Sequence, residues 1–239
     1  MGTHRLELED PTLREWTATV VAVDPESGIV LDRSAFYPGG GGQPPDEGTL
    51  LWGGVQTHIV GARCADDVWL IPAEGDPLPA VGTQVQGAIA DERRTHLMRT
   101  HSGLHVLSGV VFRDFGALVT GSNMEPLEGR LDFNLDGIPE GFKEAIESAI
   151  NAEVEADRAI RAYSLPRDEA FAIPDVIRTA TNLLPPEIEI VRIVDIDGLD
   201  VQADGGTHVA STRQVGRMRV VKVENKGKGF RRIRVALED

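Results

Sequence analysis

His101 and His105 stand four residues apart in Thr100-His101-Ser102-Gly103-Leu104-His105, and a third histidine, His208, closes Asp204-Gly205-Gly206-Thr207-His208. On a helix, residues at that spacing project from one face a turn apart, so two imidazoles can clamp one divalent ion. Taken alone, such a pair is more often two ordinary helix residues, one packed and one wetted. The second segment shifts the balance, because its glycine pair permits a tight turn that carries Asp204 and His208 toward a common point. Three of the six histidines and one aspartate then form a single candidate site.

These residues need a helix and a turn to hold them, and the pattern around them supplies both. Leu97, His101, Leu104, His105, Leu107, Val111 and Phe112 follow helical spacing. Upstream the pattern is different. Trp16–Val23, Gly28–Leu31, Gly48–Trp52 and Thr57–Val60 are short, β-branched and bounded by Asp, Pro and Gly, which predicts a small β-barrel. The change falls close to residue 90, dividing the chain into residues 1–90, a barrel with a glycine-rich loop, and residues 91–239. In the second part a helix is expected from Pro139 to Ala156, with strands at Glu189–Val194 and Met218–Val223, so the overall class is α+β.

With 239 residues and 41% hydrophobic content, the chain can bury real cores. The first residues lack the apolar stretch of a signal peptide and no run is long enough to span a membrane, which predicts a cytoplasmic protein. One cysteine, Cys64, excludes an internal disulfide and a thiolate-cluster metal site, and it is expected to be a buried small apolar side chain. The net charge of −14 opposes nucleic-acid binding, yet residues 213 to 234 carry Arg213, Arg217, Arg219, Lys222, Lys226, Lys228, Arg231, Arg232 and Arg234 against one acid, Glu224. Such a stretch suits a phosphate-facing surface, and equally a solvated strand edge. The run Gly39-Gly40-Gly41-Gly42-Gln43 leaves backbone open to close approach by a ligand and places an amide at its end, but taken alone the default reading is a flexible hairpin loop.

Ala35-Phe36-Tyr37-Pro38 with Gly40-Gly41-Gly42-Gln43, Arg93-Arg94, His101 to Leu107, Arg130-Leu131-Asp132-Phe133 and Gly205-Gly206-Thr207-His208-Val209 together resemble the alanyl-tRNA editing family. That family comprises the editing domain of alanyl-tRNA synthetase and its freestanding AlaX-type relatives. The motifs occur in family order along nearly the whole chain, and the length resembles the medium freestanding form. The resemblance implies an α+β metal-binding editing domain behind the barrel and hydrolysis of mischarged tRNA(Ala), chiefly the seryl and also the glycyl ester. It further implies a zinc ion on His101, His105 and His208, with tRNA(Ala) as partner through its acceptor end and no obligate protein partner. The family's usual cysteine is Asp204 here. A carboxylate oxygen is a harder ligand than a thiolate, so weaker zinc binding and stronger competition by other divalent ions are expected.

Hydrolysis of an aminoacyl ester requires a positioned water, a polarised carbonyl and donors for the oxyanion. A metal can lower the pKa of a bound water or anchor the substrate, and both roles stay open. Thr207 and the N–H groups of Gly205 and Gly206 are candidates to orient substrate or to serve the turn itself. Rejecting alanine requires a polar pocket that hydrogen-bonds the serine hydroxyl. Gln43 is the first candidate for it, followed by Thr120 and Ser122, whose hydroxyls could equally serve local turns. The candidate tRNA contacts are Gly40, Gly41, Gly42, Lys226, Lys228, Arg231 and Arg232. Two further readings are a metal-dependent hydrolase of a small amino-acid ester or another aminoacyl-tRNA, and an inactive tRNA-binding relative. Intact His101, His105 and His208 argue against the last.

Overall fold

The structure, a computed structural model, describes residues 2–182 and 184–239. The chain forms two compact units, Met1–His96 and Leu97–Asp239. In the first, six strands close an antiparallel barrel: β1 (Glu15–Asp24), β2 (Gly28–Leu31), β3 (Gly48–Trp52), β4 (Val55–Cys64), β5 (Val68–Pro72) and β6 (Gln84–Ile89), in the order β1-β2-β5-β4-β3-β6. Alternation drives the closure. Along β1, Trp16, Ala18 and Val20 turn inward and meet Ile29, Leu31, Leu50, Ile59, Leu70 and Val85, while Glu15 and Thr17 stay in solvent. Two of the barrel strands, β5 and β6, have no counterpart in the sequence reading. Cys64 is exposed, contrary to expectation, because it ends β4 where the strand runs out beyond the core.

The glycine loop is a built turn rather than a flexible hairpin. Gly39, Gly40, Gly41 and Gly42 all have φ between 58° and 132°, a region that side-chain-bearing residues avoid. Gly40 and Gln43 exchange both backbone hydrogen bonds, at 3.0 and 2.9 Å, and the Tyr37 hydroxyl donates to Gly40 O at 3.0 Å. Just beyond it, the buried carboxylate of Asp46 accepts the Tyr37 N–H at 2.7 Å and pairs with the fully buried Arg94 guanidinium. Arg94 also donates to Pro11 O and Ala35 O at 2.9 and 2.6 Å.

Helix α1 (Asp91–Phe115) starts in the first unit and runs through the second. There it packs with helix α2 (Phe142–Glu155) on a four-stranded antiparallel sheet. The sheet contains β7 (Val119–Glu125), β8 (Glu128–Phe133), β12 (Met218–Asn225) and β13 (Arg231–Leu237), in the order β12-β13-β8-β7. Leu97, Leu104, Leu107 and Val111 of α1, Phe142, Ile146 and Ile150 of α2, and Phe133 and Ile233 of the sheet share one core. Helix α2 also covers the open edge of β12. Asn151 there imitates a neighbouring strand, donating to Met218 O at 2.7 Å and accepting the Met218 N–H at 3.0 Å. A second antiparallel sheet, β9 (Ile160–Pro166), β10 (Ile190–Ile196) and β11 (Asp200–Ala203), completes the unit. Among the described residues no helix is long and apolar enough to cross a membrane.

The Arg94 pair generates a stability prediction. Replacing Arg94 with Met leaves the Asp46 carboxylate buried without its counter-charge, and breaking such a pair costs about 3–5 kcal/mol. All three tryptophans, Trp16, Trp52 and Trp69, lie in the first unit, so fluorescence-detected urea unfolding reads its stability. A midpoint unchanged from the parent would show that the pair contributes nothing.

Candidate metal centre

On α1, His101 and His105 lie one turn apart with ring centroids at 5.1 Å. The helix sits close to its neighbours, since a Cβ on Gly103 would come within 3.1 Å of Met218 Cε and 3.2 Å of Val215 Cγ1. Opposite the histidines, the chain leaves β11 and turns at Asp204. The Asp204 N–H donates to Arg192 O, and Arg192 Nη1 donates back to Asp204 O, both at 3.1 Å. The Gly206 N–H then donates to Asp204 Oδ1 at 2.7 Å, folding the segment so that His208 Nε2 lies 3.0 Å from the same oxygen. Ser102, between the two helical histidines, pins this turn: its hydroxyl oxygen accepts the Val209 N–H at 3.1 Å and lies 3.3 Å from His208 Nδ1.

The result is a compact set of four ligands. One ligand atom each from His101, His105, Asp204 and His208 lie within 4.8 Å of one another. His101 Nε2 is 3.5 Å and His105 Nε2 3.9 Å from Asp204 Oδ2. Ligand atoms around a tetrahedral zinc stand about 3.4 Å apart, given bonds of about 2.0–2.2 Å, so small side-chain movements suffice. All three histidines are buried. The donor set and the spacing therefore fit a divalent ion, with three nitrogens and one oxygen.

The electrostatics agree with that use. Burial opposes a charge on His105, but hydrogen bonds and attraction to Asp200 and Asp204 outweigh it and raise its pKa to about 9. Burial likewise opposes the Asp204 charge, yet the facing histidines, His101 first, hold the carboxyl well below its usual range. Burial and the neighbouring His101 push His208 well below the ordinary imidazole range. Asp204 is thus held as a carboxylate and His208 as a neutral imidazole, the forms that donate lone pairs, while the His105 proton is one that an ion would displace.

One residue of the site went unread in the sequence. Asp200, buried in β11, places Oδ2 3.2 Å from His105 Nδ1. The signal was there: Asp200, Gln202 and Asp204 alternate along one strand and its continuation, and each reaches a partner on α1, namely His105, Ser108 and the histidine pair. The other candidates lie outside the four-ligand cluster. Thr207 is fully buried within the turn. Thr120 is exposed at a bulge in β7, and Ser122 is half-buried opposite Leu131. Gln43, Gly40, Gly41 and Gly42 form the turn of the first unit described above. The Gly206 N–H is spent on Asp204 and is not a spare donor.

The basic stretch is less open than its sequence suggests, because acids distant in the chain neutralise part of it. Arg232 donates twice to Asp132, at 2.6 and 2.8 Å. Arg234 and Lys222 share Glu224, Arg213 meets Asp157, and Arg217 meets Glu238. Arg231 is engaged in holding the β12–β13 loop through Asn225 Oδ1, Gly227 O and Phe230 O. Lys226 and Lys228 stand exposed at the tip of that loop.

Comparison with known proteins places the chain in a family. Residues 191–234, which contain Asp204 and His208, match the threonyl and alanyl tRNA synthetase second additional domain. The chain is 36% identical to the alanyl-tRNA editing protein AlaX-M of Saccharolobus solfataricus, with 97% of each chain covered. It is 33% identical to the AlaX-M protein of Methanosarcina mazei, over 99% of this chain and 97% of that one. It is also 37% identical to the alanine–tRNA ligase of Pyrococcus furiosus, over 97% of this chain but 25% of the ligase. Similarity of this degree along essentially its full length shows that the chain belongs to the AlaX-M family of alanyl-tRNA editing proteins.

Proposed function

We propose that this protein is a metal-dependent trans-editing deacylase that hydrolyses seryl, and also glycyl, esters of tRNA(Ala) in the cytoplasm without ATP. The observation that carries the reading is the convergence of His101, His105, Asp204 and His208 within 4.8 Å of one another in a member of an editing family. Water adds to the ester carbonyl, the bond to the ribose oxygen breaks, and the free amino acid and tRNA leave. His101, His105, Asp204 and His208 would hold the zinc ion, which would supply Lewis acidity through a fifth position or exchange of a ligand. Gly205 is exposed and has open space where a side chain would be, so its N–H is the donor we assign to the developing oxyanion. Thr207, buried two residues further along the turn, is a second candidate to orient the substrate.

Discrimination against alanine rests on one hydroxyl. A polar partner left unpaired by the alanyl ester costs about 1–3 kcal/mol, roughly ten- to a hundredfold in rate. We assign that role to Gln43, with Thr120 and Ser122 as secondary candidates. The decisive assay is deacylation of Ser-, Gly- and Ala-tRNA(Ala) with zinc and with a chelator. The expected outcome is loss of the seryl ester with zinc, its survival with the chelator, and survival of the alanyl ester throughout. A seryl ester that persists with zinc present overturns the reading.

Two further outcomes follow from the site and the surface. Asp204→Cys restores a soft thiolate and should tighten zinc binding while retaining hydrolysis; unchanged affinity in a zinc titration would place Asp204 outside the ligand set. Neutralising Lys226 and Lys228 together should weaken tRNA binding and lower the slope of log affinity against log salt by about 2 at most, leaving turnover of a small ester unaffected. Arg232 is left intact in that variant, since its two hydrogen bonds to Asp132 already engage it. A double variant with the parental salt slope would assign these lysines to solubility alone.

A further inference from the structure

His105 uses its two ring nitrogens on two different carboxylates. Nε2 is 3.9 Å from Asp204 Oδ2, and Nδ1 is 3.2 Å from Asp200 Oδ2. A carboxylate only accepts, so once an ion displaces the proton on the Asp204 side, Nδ1 keeps the proton that faces Asp200 and Nε2 would present its lone pair to the ion. We propose that Asp200 is a positioning residue that fixes the tautomer and orientation of His105 as a metal ligand, and that Arg178, Gln202 and Gly109 hold Asp200 in place.

The support around Asp200 is fully built. Arg178 Nε donates to Oδ1 at 3.1 Å, and Gln202 Nε2 donates to Oδ2 at 2.6 Å while also reaching Ser108 Oγ at 3.1 Å. The Arg178 guanidinium is itself buried and lies 3.7 Å above the Phe112 ring, whose face compensates for the buried Nη1 that has no hydrogen-bond acceptor. A buried ion pair is weak as a stabilising device and often replaceable by apolar packing. Its placement directly behind a ligand is what gives it a use. Gly109, one turn beyond His105, makes the approach possible: a Cβ there would come within 2.9 Å of Leu199 Cγ and 3.1 Å of Asp200 Cβ.

The proposal rests on the metal reading of the site, and the test separates the two. Zinc affinity is measured by titration for the parent, Asp200→Asn, His105→Ala and the double variant, with the visible absorption of the cobalt-substituted forms recorded alongside. Asp200→Asn is expected to weaken binding ten- to a hundredfold, the usual effect of losing such an outer carboxylate, and to alter the cobalt spectrum. Because Asp200 acts through His105, the two losses should be far from additive. Gly109→Ala, which leaves every ligand and Asp200 in the sequence, should weaken binding in the same direction, and it carries the test if Asp200→Asn fails to fold. Parental affinity in these variants, or strictly additive losses, would overturn the positioning role alone. A parent protein that binds neither zinc nor cobalt would overturn the metal reading and this proposal with it.

Discussion

Two histidines a turn apart on a helix make a metal site only if other ligands can be brought against the same face, and close approach is the constraint on which the second unit depends. Gly103 and Gly109 bracket His105 and remove the side chains that would hold the neighbouring segments away. In the space so released, Met218 and Val215 pack beside the first glycine, Leu199 and Asp200 beside the second. Ser102 completes the arrangement by fastening the Val209 N–H to the helix. The cluster is therefore a consequence of backbone proximity, with the ligands added to surfaces already in contact.

Several buried charges among the described residues share one feature, a counterpart of opposite sign from another segment. Arg94 faces Asp46 in the barrel unit, and Arg178 faces Asp200 behind the histidines. Glu153, near the end of α2, is held between Arg113 and Arg158. Desolvating such groups costs several kcal/mol for each ion, which attraction and hydrogen bonding offset only in good geometry. They therefore fix relationships between particular segments better than they add stability. In the barrel unit the Arg94 pair ties the first turn of α1 to the loop after the glycine turn, and in the second unit the Arg178 pair ties β11 to the segment leading to Thr179.

The surface reconciles two signals that conflict in the composition. An acidic chain with net charge −14 is a poor partner for a polyanion, and acids such as Asp132, Asp157 and Glu238 neutralise much of its one basic stretch. What remains open includes Arg219 on β12 and Lys226 and Lys228 at a loop tip. A few cations on a repelling body favour weak, salt-sensitive contact and leave selectivity to the chemistry of the bound end.

Much of this was legible in the chain itself. Short β-branched runs bounded by Asp, Pro and Gly marked β1 to β4, the 3.6-residue spacing from Leu97 to Phe112 marked α1, and the i,i+4 histidines with the Asp-Gly-Gly-Thr-His turn marked the candidate ligands, because each is a local pattern with a local physical cause. β5 and β6 went unread, although β6 alternates exposed and buried residues from Gln84 to Ile89. Cys64 was misjudged because its type favours burial while its place at a strand end does not. The glycine run read as flexible, yet the positive φ of four successive residues and the Gly40–Gln43 pairing make it a defined turn. Asp200 shares an alternation with Gln202 and Asp204, but that pattern does not say which residue it faces, and its partner His105, like the acids Asp132, Asp157 and Glu238 that neutralise arginines, is distant in the chain. Local pattern in the chain is enough to mark residues suited to hold a metal and the elements that carry them. Which carboxylate stands behind which histidine, and which cations stay exposed, emerges only on folding, because both depend on how closely separate backbones approach.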